Sequence, residues 1–162
     1  MQPSTEKSSG ELQPSVLLDK QLCFEIYAAS LAMTRLYQPH LKALGLTYPQ
    51  YLVMLVLWET DGLTVKEISS RVQLDSGTLS HLLKRLEQSG FIVRSRNAAE
   101  DERKVIVSLT SAGSALKNQA IIVPHEVVSA IGLPYEKLSA MREDMAVLRK
   151  QLLAALSEKT GR

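Results

Sequence analysis

Between residues 64 and 109 the spacing of the apolar residues switches once, from helical to alternating, and few folds accommodate that switch. Thr64, with Glu67 three positions on, reads as a capping box opening a short helix that ends near Val72. Asp75 or Ser76 caps a second helix whose apolar face is Leu79, Leu82, Leu83 and Leu86, and Gly90 stands where a C-cap glycine belongs. Residues 91–96 and 103–109 then become rich in β-branched residues. Ile92, Arg94 and Arg96 share one face of the first segment, and Val105, Val107 and Leu109 share one face of the second. The polar residues 97–102 join them into a hairpin with a charged tip. Two short helices followed by a basic hairpin is the order of a winged helix-turn-helix, so the expected fold class is mainly α, an α+β winged helix.

Long helical patterns flank this unit. In residues 16–44 apolar side chains recur at Leu18, Leu22, Ile26, Ala29, Met33 and Leu36; Pro39 is expected to kink or end the helix, and Gly45 to stop it. Thr47 and Gln50 form another capping box, and the helix they open is apolar almost all round (residues 52–58), which marks it as the core helix; Asp61-Gly62 ends it. Thr110 caps a further helix, interrupted at Pro124, and Gly132-Leu133-Pro134 is a break. A last amphipathic helix covers about residues 135–156, with Leu138, Met141, Met145, Leu148, Leu152 and Leu156 on one face. Met33, Met54, Met141 and Met145 are most simply core residues. The flanking helices carry more apolar surface than a small winged domain can bury, and pairing with a second copy is the simplest use of it. The expected division is a polar tail (1–15), an N-terminal sensor and dimerisation helix (16–46), the winged unit (47–110) and C-terminal dimerisation helices (111–162).

Composition narrows the function. No run approaches the roughly 18 apolar residues of a membrane span, and residues 1–15 lack the apolar stretch of a signal peptide, so a cytoplasmic location without membrane contact is expected. The one cysteine, Cys23, excludes an internal disulfide framework and a cysteine-cluster zinc site. His40, His81 and His125 lie on different elements without ligand spacing, so neither metal nor cofactor is expected. A thiol peroxidase would need a reduction cycle and a cation activating the peroxide, and neither is visible near Cys23; no catalytic residue is assigned.

A net charge of +2 permits nucleic-acid binding without arguing for it, so placement must decide. The second short helix offers Ser76, Thr78, Ser80 and His81 to base edges or phosphates, and Lys84 and Arg85 to the backbone. The hairpin adds Arg94, Arg96, Arg103 and Lys104; an arginine at a wing tip suits the narrow, electronegative minor groove. Glu87, Glu100, Asp101 and Glu102 lie among these cations, so charge alone would also fit a solvated surface. The order of elements favours double-stranded DNA. Asp101, two positions before Arg103, can aim it, although so exposed a pair adds less than about 1 kcal/mol of stability.

Helix, winged helix-turn-helix, helix is a plan that resembles the MarR transcriptional regulators. Asp101-Glu102-Arg103-Lys104-Val105, then Ser108-Leu109-Thr110 and Gly113, is similar to that family's wing signature. Leu18-Asp19-Lys20-Gln21-Leu22-Cys23-Phe24, Leu46-Thr47-Tyr48-Pro49-Gln50-Tyr51 and Leu74-Asp75-Ser76-Gly77-Thr78-Leu79 resemble more closely the organic hydroperoxide-sensing repressors (OhrR) within it. The resemblance implies a homodimer on a pseudo-palindromic operator, with Asp75, Ser76 and Thr78 reading bases and Arg94, Arg96 and Arg103 at the wing. It also implies that organic hydroperoxides oxidise Cys23 to a sulfenic acid and so release the DNA. Tyr37 and Tyr48 would hydrogen-bond the sulfur, with Tyr27 close by.

At about 100° per residue, Cys23, Tyr27, Ser30, Thr34 and Tyr37 share one face of the first helix. Tyr37 nevertheless stands fourteen residues from Cys23, about 21 Å along the axis at about 1.5 Å per residue. If Tyr37 touches the sulfur, it comes from the other subunit of an antiparallel pair. The reactive form is the thiolate. Lys20 is the nearest cation, so tyrosine hydroxyls and the helix N-terminus are left to stabilise that charge. Leu22, Phe24 and Ile26 would favour a greasy peroxide. Many members of this group carry a second, resolving cysteine; this chain has none. Either a low-molecular-weight thiol caps the sulfenic acid or it over-oxidises, or a resolving cysteine has been replaced. The alternative reading is a MarR-type repressor controlled by a small aromatic ligand, with Cys23 passive.

Overall fold

The computed structural model describes residues 16–96 and 104–160. Residues up to Leu36 form one compact unit, and Tyr37–Arg162 the other. A 3-10 turn, Leu18–Lys20, precedes helix α1, Leu22–Ala43. In the first unit Leu17, Leu18, Leu22, Tyr27 and Leu31 are exposed large apolar side chains.

Pro39 does not end α1: the helix runs through it to Ala43. Proline removes one backbone donor and crowds the preceding turn, but Leu41, Leu44 and Leu46 just beyond it are buried and hold this turn in place. Leu46 N donates to Leu41 O (2.9 Å) and Gly45 N to Lys42 O (3.1 Å), a Schellman closure at the position of the expected stop.

Thr47 caps α2, Tyr48–Glu59, and the reciprocal bond from Thr47 N to Gln50 Oε1 (2.8 Å) completes the capping box. Its Tyr51, Val53, Met54, Val56 and Leu57 are buried, as a core helix requires. Met54 alone of the four methionines belongs to this core; Met33, Met141 and Met145 are exposed in the protomer, correcting the expectation that all four are core. Met33 lies on α1, and Met141 and Met145 lie on the long C-terminal helix.

Thr64 and Glu67 cap α3, Val65–Val72, as expected. Helix α4, Ser76–Gln88, takes Asp75 as its N-cap. The α3–α4 turn is tight: Gln73 is left-handed (φ 57°), and Ser69 Oγ donates to Leu74 O at 2.6 Å, clasping the corner. At the end of α4, Gly90 (φ 76°) closes a second Schellman motif, with Phe91 N on Leu86 O and Gly90 N on Glu87 O. A side chain there would strain the left-handed backbone.

The hairpin is β2, Ile92–Arg96, against β3, Val105–Leu109, with Arg94 opposite Val107. A third strand was not foreseen. β1, Leu63–Thr64, pairs antiparallel with β3, giving the order β1-β3-β2. Thr110 caps α5, Ser111–Ala120; α6, Val123–Ile131, carries Pro124 in its first turn, and α7 runs Tyr135–Thr160. On α7 Met141, Met145, Leu152 and Leu156 are 46–61% exposed. Among the described residues no helix is long and apolar enough to cross a membrane.

Candidate nucleic-acid interface

Helix α4 is two-sided. Leu79, Leu83 and Leu86 are buried and dock it against the core, whereas Ser76, Thr78, Ser80, His81, Lys84 and Arg85 are exposed. That is the division a recognition helix needs. Asp75 and Thr78 are engaged with each other: Asp75 Oδ1 accepts from Thr78 N (2.9 Å), and Thr78 Oγ1 donates to Asp75 Oδ2 (2.6 Å). These bonds hold the Asp75 carboxyl below its ordinary range. The cap thus occupies the side chains expected to read bases, and it leaves lone pairs on both oxygens of Asp75 and on Thr78 Oγ1.

A groove of about 600 Å³ runs between α3, α4 and the hairpin. Ser76 and Ser80 line it from α4, and Arg94 and Lys104 from the wing. Lys66 and Ser69 line it from α3, and neither was singled out from sequence. The signal was available for Lys66, which is the second residue after the Thr64 cap. His81, Lys84, Arg85 and Arg96 are exposed outside the groove lining. Asp101 and Arg103 lie outside the described residues.

Arg94 is placed differently from a free wing cation. Its Nε and Nη2 donate to Glu87 Oε2 (3.0 and 2.6 Å), and its backbone N–H donates to Glu87 Oε1 (3.1 Å). The guanidinium holds the Glu87 carboxyl below the usual range.

The sensor candidates divide between the two units. Cys23 and Tyr27 belong to the first unit and are exposed there, as are Ser30 and Thr34 of the same stripe. Tyr37 and Tyr48 meet in the second unit, with ring centroids 5.2 Å apart in an edge-on arrangement. Tyr51, which sequence reasoning missed, packs on Tyr37 at 5.8 Å, and Trp58 on Tyr51 at 6.3 Å. Its spacing of three from Tyr48 on one helix was the available signal. Burial pushes the pKa of Tyr37 above its ordinary value, with a further push from Tyr48; burial likewise raises that of Tyr48. Both therefore stay protonated donors at neutral pH. Tyr51 is pushed up to about 12 by burial and by its two tyrosine neighbours.

A second cavity, about 220 Å³, lies between α2, α5 and α6 and is walled by Tyr51, Leu55, Trp58 and Ile121, with Glu59 and Lys117 at its edge.

Residues 35–120 match the family described as Transcriptional regulator SarA/Rot. The chain is 50% identical over 137 residues to the HTH-type transcriptional regulator TtmR of Methylorubrum extorquens, covering 85% of this chain and 70% of that one. It is 44% identical over 135 residues to the organic hydroperoxide resistance transcriptional regulator of Bacillus subtilis, covering 83% and 91%. Among solved structures, reduced AbfR bound to DNA superposes with a TM-score of 0.71 at 37% identity, over 84% of this chain and 94% of that one. AbfR, from Staphylococcus epidermidis, has also been solved overoxidized on DNA and in a disulfide form.

Proposed function

Since the chain belongs to the MarR-type winged-helix transcriptional regulators, among the SarA/Rot and organic hydroperoxide resistance regulators, we propose that this DNA-binding protein is a repressor that releases its operator when an organic hydroperoxide oxidises Cys23. The observation that carries the reading is Cys23 itself: the chain's one cysteine, exposed in the first turn of α1 beside the exposed Tyr27. The Cys23 thiolate attacks one peroxide oxygen, the O–O bond breaks, and the departing alkoxide takes up a proton to leave as an alcohol. Sulfur is oxidised to a sulfenic acid as the peroxide is reduced. A low-molecular-weight thiol then condenses with the sulfenic acid, forming a mixed disulfide and releasing water.

The protein acts as a homodimer on double-stranded, pseudo-palindromic DNA. Its exposed apolar residues on the N-terminal segment and α7 suit a shared interface. In that dimer the Tyr37–Tyr48 pair of one protomer donates to Cys23 of the other, which puts the oxidised sulfur where it moves one subunit against its mate. Ser76, Ser80, Lys66 and Lys104 face the DNA. The 220 Å³ cavity favours a second reading, release by a small aromatic ligand with Cys23 passive. It ranks lower because ligand sites usually start near about 300 Å³.

The test is a gel shift on a duplex selected from a random pool with the reduced wild-type protein. Wild type is released by tert-butyl hydroperoxide, and Cys23→Ser binds equally but stays bound. Peroxide release of Cys23→Ser would overturn the sensor assignment.

A further inference from the structure

We propose that Glu87 and Arg94 form a clamp that sets the wing against the recognition helix, so that Arg94 is a positioning residue rather than a DNA contact. The inference rests on α4 and the hairpin being the DNA-binding face. Glu87 lies in the last turn of α4, and Arg94 is the third residue of β2. One carboxylate takes three donors from one residue: the backbone N–H on Oε1, and both Nε and Nη2 on Oε2. Such a charge-assisted fork has a fixed geometry that a single-point ammonium lacks.

The backbone contact explains why the clamp sits here. In the order β1-β3-β2, β2 is an edge strand. The Arg94 N–H points away from β3, where an edge strand leaves its donors without a ladder partner. Glu87 supplies that partner from the end of α4. The corner is therefore closed twice, by Phe91 N on Leu86 O in the backbone and by Glu87 on Arg94 just beyond it. Arg94 also stands opposite the fully buried Val107, so its side chain starts from the packed part of the sheet. The wing is a lever on this corner. A five-residue strand is about 17 Å long, and turning it by about 10° at its base displaces its far end by about 3 Å, as much as a whole hydrogen bond. With Arg94 committed to Glu87, Lys66 and Lys104 are the candidate phosphate ligands of the groove.

The test measures affinity for the selected duplex across a potassium chloride series, for wild type, Glu87→Gln, Arg94→Gln, Arg94→Lys and the double Glu87→Gln/Arg94→Gln. Glu87→Gln keeps the side chain's size and one acceptor, and Arg94→Lys keeps the charge. The clamp predicts that each single variant binds about tenfold more weakly, as loss of a charge-assisted fork implies. It also predicts that Arg94→Lys is no better than Arg94→Gln, and that the double variant is no worse than the weaker single. The slope of log affinity against log salt stays at the wild-type value in all, because no phosphate contact is lost. Tighter binding by Glu87→Gln, or a slope reduced by about one in Arg94→Gln with Arg94→Lys unaffected, would make Arg94 a phosphate ligand and overturn the clamp. Wild-type affinity in every variant would overturn it as well. Failure of the wild type to select any duplex would instead overturn the DNA-binding reading, before any variant is compared.

Discussion

Replacing Gly113 by alanine forces apart two elements that the fold holds in contact. Gly113 is buried in the first turn of α5, and a Cβ built on it would sit 1.9 Å from Phe91 O and 2.9 Å from Phe91 C. Real Cβ contacts essentially never fall under 3.0 Å, so α5 and the start of β2 must separate by about 1 Å. The seam has little slack. Thr110 N donates to the same Phe91 O at 3.0 Å, Thr110 Oγ1 to Gly90 O at 2.6 Å, and Trp58 Nε1 to Gly113 O at 2.9 Å. Overpacking costs about 1–3 kcal/mol, and losing two of these bonds costs about 1 kcal/mol each. Alanine's better helix propensity returns up to about 1 kcal/mol. The net is a destabilisation of about 2–4 kcal/mol, or a fall in melting temperature of roughly 4–16 °C for a chain of this size. Thermal unfolding followed by circular dichroism, at equal protein concentration so that any association is held constant, measures this directly. A Gly113→Ala protein melting within about 2 °C of wild type would refute the close-approach reasoning.

Two pH dependences follow from the same structure. Glu67, Asp75 and Glu87 titrate below their ordinary values because Thr64, Thr78 and Arg94 donate to their charged forms. Their stabilisation is complete above the ordinary values of 4.5, 3.8 and 4.5, and it is lost as pH falls through the depressed ones. The protein should therefore lose stability below about pH 4.5, and Asp75→Asn, which keeps an acceptor at the cap, should lose less; an identical acid profile would count against the cap's share. At the other end, Tyr51 is raised from 10.0 to about 12, so its contribution is full below pH 10.0 and disappears as pH climbs toward about 12. Tyr51→Phe should flatten that alkaline limb of the melting curve, and an unchanged limb would place the loss elsewhere.

Local chemistry was legible wherever a few neighbouring residues decide the outcome. The caps at Thr47, Thr64, Asp75 and Thr110 are formed, and so are the turns at Gly45 and Gly90, because each needs only one short side chain or one left-handed residue. The hairpin was legible from its alternation. What could not be read depends on distant partners. β1 has two residues, too few for a period, and exists because β3 offers it an edge. Pro39 reads as a breaker, yet the buried leucines that follow it keep the helix going. Arg94 counted as one more wing cation; only the fold brings Glu87 to its amide and guanidinium. The tyrosine pair was legible through the resemblance, but the packing of Tyr51 on Tyr37 was not, since that depends on how α1 meets α2.

Trp58 is the chain's one tryptophan, and its indole is tied to the carbonyl of Gly113 while its own carbonyl accepts from Lys117 Nζ at 2.9 Å. Its ring also stands 6.3 Å from Tyr51, well inside the range over which an excited tyrosine hands its energy to an indole. The protein therefore carries a built-in fluorophore on the seam between its core helix and α5. Emission wavelength reports whether the indole hydrogen bond is intact, and tyrosine-excited emission reports the spacing of the rings. Any change at this seam can thus be followed in unlabelled protein, in real time, without DNA.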